Sequence, residues 1–141
     1  AEGRRRHATG LPIFGSDSEA VQVKRARINL EAAGLADMVR LEQAELTERT
    51  PPADEGVMVA NPPYGVRIGE TTELAAFYPK LGDALKARWA GWRCYFLSAD
   101  PELPKLIRLK ASKRTPLFNG ALECRVFEYQ MRAGSNRREK A

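Results

Sequence analysis

Val57-Met-Val-Ala-Asn-Pro-Pro-Tyr64 is the stretch of sequence that decides the fold. Its first four residues are continuously apolar, which is typical of a strand covered on both faces in a parallel sheet. The run stops abruptly at Asn61-Pro62-Pro63-Tyr64, at the expected carboxyl end of that strand. Open α/β sheets bind their ligands at this end of their strands. The stretch therefore predicts a buried parallel strand followed directly by a functional loop.

The segments around this strand alternate between strand and helix patterns. Residues 15–18 predict a turn into a helix, with Ser16 and Glu19 at the spacing of a capping box, and Gly34 predicts the helix end. Strands are predicted at residues 11–14, 38–41, 57–60 and 94–97, and helices over residues 20–33 and 74–89, the second kinked or restarted at Pro79. This order predicts an α/β sheet with parallel strands.

The C-terminal end has a different pattern. Asn119-Gly120 is a strong hairpin signal between two strand-like runs, residues 114–118 and 122–129. The second run alternates between apolar and polar residues for much of its length, as an antiparallel strand does. We therefore expect the parallel sheet to finish in an antiparallel hairpin.

The composition is that of one small domain. The 141 residues, 43% of them hydrophobic and 29% charged, suffice for one ordinary core and are too few for two. No segment resembles a membrane span or a signal peptide, so we expect a soluble, cytoplasmic protein. Cys94 and Cys124 lie in strand-like runs without His or Cys at metal-ligand spacing. This predicts reduced, buried thiols and no metal site.

The charge is basic and uneven. The net charge is +5 and the pI about 9.5, which fits a polyanionic partner. Basic clusters open and close the chain, so we expect tails at residues 1–10 and 132–141 around a domain over residues 11–131. Such tails are either nucleic-acid arms or merely solvated ends. Charge alone is therefore weak evidence for RNA.

The tetrapeptide that begins at Asn61 suits methylation of an amino group on an aromatic ring. The lone pair of such a nitrogen is delocalised, so the nitrogen attacks only when acceptors hold its hydrogens. The Asn61 side-chain oxygen and the backbone carbonyl of Pro62 can be these acceptors, and Pro62 and Pro63 stiffen the segment. Tyr64 offers a flat face on which an extruded base stacks, worth ~1–3 kcal/mol. Alternatively, the tetrapeptide is only a turn that ends a strand.

Two carboxylates are candidates for binding a nucleoside cofactor. Asp17 follows the first predicted strand and could accept hydrogen bonds from two ribose hydroxyls, or else cap the helix behind it. Glu45 follows the second predicted strand and could accept from an adenine amino group, or be a solvated loop residue. Local sequence leaves both choices open.

Four stretches together match a known family. They are Leu11-Pro-Ile-Phe-Gly-Ser-Asp17, Ala60-Asn-Pro-Pro-Tyr-Gly65, Gly91-Trp92 and Asn119-Gly-Ala-Leu-Glu-Cys124. They resemble the C-terminal part of the catalytic domain of bacterial large-subunit ribosomal RNA guanine-N2-methyltransferases that carry a THUMP domain.

The resemblance implies a fold, a cofactor and a reaction. The fold is a class I, Rossmann-like methyltransferase sheet, the cofactor is S-adenosylmethionine, and the methyl acceptor is guanine N2 of ribosomal RNA. By resemblance, Asn61 and Pro62 hold the amino group and Tyr64 stacks on the base. Asp17, Glu45 and Asn61 then bind the cofactor, Asp17 at its ribose and Glu45 near its adenine.

One part of the family pattern is not found. Family members have, upstream of the segment matching Leu11, a strand and a Gly-rich loop around the cofactor's amino-acid end, and none of the 11 glycines here reconstitutes that loop. The strand would lie between those ending at Phe14 and Ala60, so its absence exposes backbone edges and apolar surface. We therefore expect a catalytic-domain fragment, inactive alone, with self-association or a complementing chain at the exposed sheet edge.

Two rival functions remain. Asn-Pro-Pro-Tyr serves equally for methylating adenine N6 in nucleic acid or a glutamine amide in protein, so it does not choose the substrate. The other rival is a non-catalytic module that binds RNA, or a partner chain, through its basic ends. Such a module would lose binding when residues 1–9 and 132–141 are removed, and Asn61→Ala would leave its function unchanged.

Overall fold

The computed structural model describes residues 11–62 and 71–132, without the side chains of residues 71–74. The chain divides into two compact units, Ala1–Arg49 and Thr50–Ala141. The basic tails predicted from the sequence lie outside the described residues, apart from Arg132. Within the described ranges, no helix combines the length and the apolar character that crossing a membrane requires.

The first unit is built on two parallel strands joined through a helix. Its elements are β1 (Ile13–Asp17), α1 (Ala20–Ala32), a short 3-10 helix (Ala36–Met38) and β2 (Val39–Gln43). Strands β1 and β2 pair in register along their whole length, from Ile13 opposite Val39 to Asp17 opposite Gln43. Parallel neighbours need a long crossover connection, which α1 supplies.

The start of α1 differs from the prediction. Ser16 lies in β1 opposite Glu42 instead of in a turn, and the N-cap residue is Glu19, which has no side-chain cap. The predicted turn and capping box are wrong, because strand pairing holds Ser16 in an extended conformation. The helix end is as predicted, since Gly34 adopts a φ of 72°, which glycine tolerates without a steric penalty.

The first unit has a thin core. Among its described residues, Val23 on α1 is the only buried hydrophobic side chain. Ile13 on β1 and Ile28 on α1 are 42% and 54% exposed. Burial of apolar surface stabilises a fold by roughly 25 cal/mol per Å². This unit therefore gains little from its own packing.

The second unit is a four-stranded mixed sheet with two helices. Its elements are β3 (Gly56–Ala60), α2 (Thr71–Arg88), β4 (Trp92–Ser98), α3 (Leu103–Ile107), β5 (Lys113–Asn119) and β6 (Leu122–Gln130). The strand order is β3-β4-β6-β5, with β3 and β4 parallel and both other pairs antiparallel. The last strand, β6, thus lies inside the sheet. The predicted parallel sheet that finishes in a hairpin is confirmed.

The core of the second unit is substantial. Pro79 lies inside α2, so one helix carries the whole apolar pattern instead of a new one beginning there. The Trp89 ring packs edge-on against Trp92, with ring centroids 4.9 Å apart. The most deeply buried side chains come from α2, β4, α3 and β6: Tyr78, Leu81, Leu85, Trp89, Cys94, Phe96, Leu103, Ile107, Cys124, Phe127 and Tyr129.

Both cysteines belong to this core, as predicted. Cys94 and Cys124 are buried and form no disulfide. Burial raises the pKa of the Cys94 thiol to about 12, because the apolar surroundings disfavour a thiolate. The Cys94 side chain therefore behaves as a small hydrophobic group.

Strand β3 is uncovered along one edge and on one face. Among the described strands, its only partner is β4. Val57 and Val59 alternate along β3 with the half-buried Met58 and are 62% and 77% exposed. The prediction of a strand covered on both faces is wrong, because no described element covers the valine side. Within the described strands, the edge of β3 that faces away from β4 has no partner.

Candidate functional site

The parallel pairing of β1 and β2 brings two of the candidate carboxylates to one sheet edge. Asp17 ends β1 opposite Gln43, which ends β2. The pairing continues one residue further, because the Ala44 N–H donates to the Asp17 carbonyl oxygen at 2.9 Å. Glu45 follows directly. Asp17 and Glu45 are therefore both exposed at the carboxyl edge of the first unit, as the sequence predicts.

The Asp17 carboxylate is held at one of its two oxygens. Its Oδ1 accepts a hydrogen bond from the backbone N–H of Glu19 at 2.9 Å, at the start of α1. In the described part of the chain, nothing donates to Oδ2. The helix-start role and a ligand-binding role are thus compatible, since one oxygen orients the carboxylate and the other is open to a donor.

Glu45 lies on a closed turn. Its carbonyl oxygen accepts from the N–H groups of Glu48 and Arg49 at 3.0 and 2.9 Å. The Arg49 Nε in turn donates to Glu42 Oε1 at 3.0 Å, which ties the end of the turn back to β2. The Glu45 side chain is exposed and has no hydrogen-bond partner among residues 11–62 and 71–132. It is an acceptor in a defined position at the sheet edge.

Asn61 follows β3 directly, at the carboxyl end of the parallel pair of β3 and β4. Its side chain is exposed, and no hydrogen bond joins its amide to another described residue. Pro62 is buried and anchors the chain immediately behind that amide. Pro63 and Tyr64 lie outside the described residues, and their roles stay predictions.

Sequence patterns miss two polar residues at the end of β4. Ser98 is 1% exposed, and its Oγ accepts from the Asp100 N–H at 3.0 Å. Asp100 Oδ1 accepts from the Glu102 N–H at 2.9 Å, where α3 begins. Since β3 and β4 are parallel, this polar turn lies at the same sheet edge as Asn61. A Ser and an Asp directly after an apolar run are the signal that indicates it.

Each unit thus presents hydrogen-bond acceptors at the carboxyl ends of its parallel strands. In the first unit these are the carboxylates of Asp17 and Glu45, which accept from hydroxyls and amines. In the second unit the Asn61 side-chain oxygen accepts from an amine without adding charge. The carboxylates of the first unit suit a nucleoside, and the Asn61 oxygen of the second unit suits an aromatic amine.

Sequence comparison identifies relatives over most of the chain. Residues 1–128 match the family UPF0020, the RMKL-like methyltransferase domain. The "Ribosomal RNA large subunit methyltransferase K/L" of Shewanella frigidimarina is 41% identical over 129 residues, which are 92% of this chain and 18% of that protein. The protein of that name from Shewanella loihica is 38% identical over 143 residues, or 98% and 20%. The chain therefore spans about one fifth of the length of these curated relatives.

Solved structures share the fold. SMU.472 in complex with SAH superposes with a TM-score of 0.84 at 27% identity, over 93% of this chain and 34% of that one. A "predicted N6-adenine-specific DNA methylase" from Listeria monocytogenes gives 0.72 at 27% identity, over 84% and 30%. TrmN from Thermus thermophilus, at 23% identity over 85% and 36%, gives 0.67 and shares the fold alone. The predicted class I S-adenosylmethionine-dependent methyltransferase fold is confirmed.

The four stretches that resemble the methyltransferase family all fall inside the matched residues. They include the positions of Asp17 and Asn61 at the ends of β1 and β3. Sequence, fold and relatives agree, and the chain belongs to the family of RMKL-like methyltransferase domains.

Proposed function

We propose that this chain is the part of a ribosomal RNA methyltransferase that binds the adenosine of S-adenosylmethionine and positions a base amino group, guanine N2 in large-subunit ribosomal RNA. The names of the Shewanella relatives support the RNA substrate, and the SAH in the SMU.472 structure supports the cofactor. The single observation that carries the proposal is the exposed Asn61 amide, without a partner among the described residues, at the carboxyl end of β3. We place the activity in the cytoplasm, with the ribosomal RNA.

Asp17 and Glu45 take the adenosine in this proposal. The open Oδ2 of Asp17 accepts from a ribose hydroxyl, while the bond from Glu19 to Oδ1 fixes the carboxylate. Glu45 accepts from the adenine amino group from its position on the closed turn. The residues therefore fit the group, because both carboxylates are exposed acceptors at the ends of parallel strands. S-adenosylmethionine supplies an electrophilic methyl group on a sulfonium centre.

Asn61 and Pro62 hold the base amine. The Asn61 Oδ1 and the Pro62 carbonyl oxygen each accept one amino hydrogen, which directs the nitrogen lone pair at the methyl group. The nitrogen–carbon bond forms as the carbon–sulfur bond breaks, and the alkylated nitrogen releases its proton to water. Since alkylation makes that proton acidic, positioning contributes most of the catalysis. Tyr64 stacks on the base and Pro63 stiffens the segment in the same proposal.

A further strand completes the sheet at β3. Its unpaired edge and the exposed Val57 and Val59 support an added strand, because an open edge is a template for pairing. The strand comes from a complementing segment or from a second copy. We expect Val59→Lys to keep the chain monomeric in light scattering at concentrations where the natural chain associates. A natural chain that is monomeric at every concentration contradicts self-association.

Calorimetric titration of SAH into this chain tests the cofactor part. We expect weak binding, because the family's Gly-rich loop is not found in this sequence, and Asp17→Ala should weaken it further by at least about tenfold, the loss of one hydrogen bond to a charged group. Asp37→Ala removes another exposed carboxylate of the first unit and serves as the matched control. Equal SAH affinities of the Asp17→Ala and Asp37→Ala variants would contradict the assigned ribose site.

Mass spectrometry of nucleosides tests the reaction and its base. The complete protein, incubated with unmodified ribosomal RNA and S-adenosylmethionine, should produce N2-methylguanine, and Asn61→Ala should abolish the product. The name of the Listeria structure favours adenine N6 as the second candidate. If N6-methyladenine is the main product, the methyl acceptor is adenine instead of guanine, and the proposed role of Asn61 is unaffected. Methylation that survives Asn61→Ala would overturn that role.

A further inference from the structure

A concentration of positive charge outside the proposed site runs from α3 into the first strand of the β5–β6 hairpin. Residues 103–122 contain no Asp or Glu. They carry five exposed cations, Lys105, Arg108, Lys110, Lys113 and Arg114. We call residues 105–114 the basic segment. It is separate from the basic tails, which lie outside the described residues.

Most of these charges are not neutralised within the protein. Lys105 Nζ pairs with Glu102 Oε2 at 3.1 Å. For the other four cations, no ion pair is formed with any residue of the described ranges. Glu128 is opposite Lys113 in the strand pairing, yet its Oε1 accepts from the Tyr95 hydroxyl at 2.7 Å. The charges of these four cations are therefore not compensated by a described carboxylate, and the Arg114 guanidinium lies 5.8 Å from the centroid of the Phe127 ring.

The basic segment is fixed in place rather than loose. Arg108 adopts a left-handed φ of 63°, and its N–H donates to the Pro104 carbonyl oxygen at 3.0 Å, which ends α3. Four residues on, the Ser112 N–H donates to the Glu128 carbonyl oxygen at 2.7 Å and joins the segment to β6. Ile107 and Leu109 are buried, while the cations between and around them are exposed. The apolar residues hold the cations on a stable surface.

The hairpin continues this surface with exposed apolar side chains. Phe118 near its tip is 66% exposed, and Leu117 and Leu122 are about half exposed. Side chains alternate along a strand, so Arg114 and Phe118 lie on the same face of β5. Arg125 is opposite Pro116 on the paired strand and belongs to that face too. A ring and guanidinium groups thus share one face of the hairpin, while Lys113 lies on the opposite face of β5.

We infer that the basic segment and the β5–β6 hairpin form an RNA-contacting surface. Arg108, Lys110, Lys113 and Arg114 contact phosphates, and Phe118 stacks on an unpaired base. Cationic tracks with exposed aromatic rings are the pattern of proteins that bind single-stranded nucleic acid, where phosphates supply affinity and rings receive bases. Glu123 is opposite Phe118 and lies on the same face of the hairpin, so the phosphate path ends before the hairpin tip. The inference rests on the proposed function, which supplies RNA as the substrate.

The test is the salt dependence of RNA binding by this chain. Fluorescence anisotropy with a labelled single-stranded RNA compares the natural chain with a variant in which Arg108, Lys110, Lys113 and Arg114 are replaced by Gln. Each lost phosphate contact lowers the slope of log affinity against log salt by ~0.7, so four contacts lower it by about 3. The matched control replaces Lys24, Arg25, Arg27 and Lys86, four exposed cations of α1 and α2, by Gln. We expect the control to keep most of the slope.

Replacement of Phe118 separates stacking from charge. Phe118→Leu should weaken RNA binding by about tenfold with an unchanged salt slope, and Phe118→Trp should restore the affinity. Because Phe118 is exposed, both variants should fold, and unchanged far-ultraviolet circular dichroism checks this. Equal slopes for the basic-segment variant and its control would overturn the inference, as would equal RNA affinity for Phe118→Leu and the natural chain.

Two further arms distinguish the alternatives. In the first, residues 1–9 and 133–141 are removed. If this abolishes RNA binding while the basic-segment variant still binds RNA, the tails bind the RNA and the inference is overturned. In the second, the chain is mixed with phosphatidylserine vesicles. If it binds them through the same four cations and with higher affinity than RNA, the choice of RNA as partner is overturned. Failure of the Asn61 and Asp17 tests leaves the anisotropy result standing. If methylation requires Asn61 but RNA binding does not depend on the four cations, the RNA-contacting surface is contradicted and the proposed function is not.

Discussion

Gly82 of α2 lies against the backbone of Ile107 in α3, so closely that a Cβ atom added at Gly82 would be 2.1 Å from the Ile107 carbonyl oxygen. Ala normally stabilises an exposed helix position by about 1 kcal/mol relative to Gly. Here the added methyl group must push two helices apart, and such overpacking costs about 1–3 kcal/mol. We expect Gly82→Ala to lower the free energy of unfolding, although its helix propensity is better.

Urea unfolding followed by tryptophan fluorescence measures this effect, because Trp89 and Trp92 both belong to the second unit. Asp83→Ala changes the exposed neighbouring residue and should shift stability by no more than about 0.5 kcal/mol. A Gly82→Ala variant as stable as the natural chain would show that α3 moves away from α2 at little cost in free energy.

The two thiols should report opening of the sheet core. Cys94 on β4 and Cys124 on β6 are buried, so a thiol reagent reaches them only when the strands separate. We expect both to be unreactive towards Ellman's reagent in the native state and to react completely in denaturant. Rapid native labelling of Cys94, with Cys94→Ala as the reference for Cys124, would contradict the described core.

Stability should decline at alkaline pH. The ordinary pKa of a cysteine thiol is 9.0, and burial raises that of Cys94 to about 12 in the folded chain. Burial also raises the pKa of the Tyr129 hydroxyl. A raised folded-state pKa stabilises the fold fully below the unfolded value and loses this contribution as pH rises towards the folded value.

The contribution of the Cys94 thiol to the free energy of unfolding should therefore not change with pH below pH 9. Between about pH 9 and 12 it should fall by about 1.4 kcal/mol per pH unit. Urea midpoints across this range give the slope. Cys94→Ala lacks the titrating thiol and should show a shallower decline. Identical slopes in the two proteins would mean that Cys94 does not control the alkaline loss.

The two units should differ in hydrogen exchange. The first unit buries a single hydrophobic side chain among its described residues, whereas β4 and β6 cross a core of aromatic and aliphatic residues. Local openings cost least where few apolar contacts are lost. We expect the amides of β1 and β2 to exchange orders of magnitude faster than those of Phe96 and Phe127. Mass-spectrometric exchange measures this, and equal protection would contradict it.

Saturating SAH provides the control for that experiment, because a ligand that binds only the folded state slows its opening. Under the proposed function, SAH should slow exchange of β1 around Asp17 and leave the β5–β6 hairpin unchanged. Slower exchange confined to the hairpin would place the ligand elsewhere.

The order of strands and helices could be predicted from the sequence, because it depends on the periodicity of apolar residues, which is local. The placement of Asp17 and Glu45 at one edge followed from the same information, since parallel strands share their carboxyl ends. The error at Ser16 has a physical origin. A Ser three residues before a Glu has the same spacing whether the Ser caps a helix or ends a strand, and the pairing with Glu42 decides between them.

Burial was harder to predict than order. A continuous apolar run shows what β3 can bury, but the exposure of Val57 and Val59 depends on whether a neighbouring element is present. Helix α3 spans only Leu103–Ile107, too few residues to show a helical period. The basic segment was not singled out because a run of cations has the same pattern on a solvated surface and on a binding surface, and only the structure shows that the buried Ile107 and Leu109 hold it in place.

The interior position of β6 has a consequence for biosynthesis. Strand β4 emerges from the ribosome before β5 and β6, but its antiparallel neighbour is β6, the last of the described strands. Until that strand is translated, one edge of β4 and the apolar side chains that β6 covers face water, and other chains can pair with them. A pause in translation before β6 has left the ribosome therefore leaves the second unit exposed to aggregation, while a pause after β6 has left it does not. The rate at which the final codons of the sheet are read thus bears on how much of this protein reaches its native state.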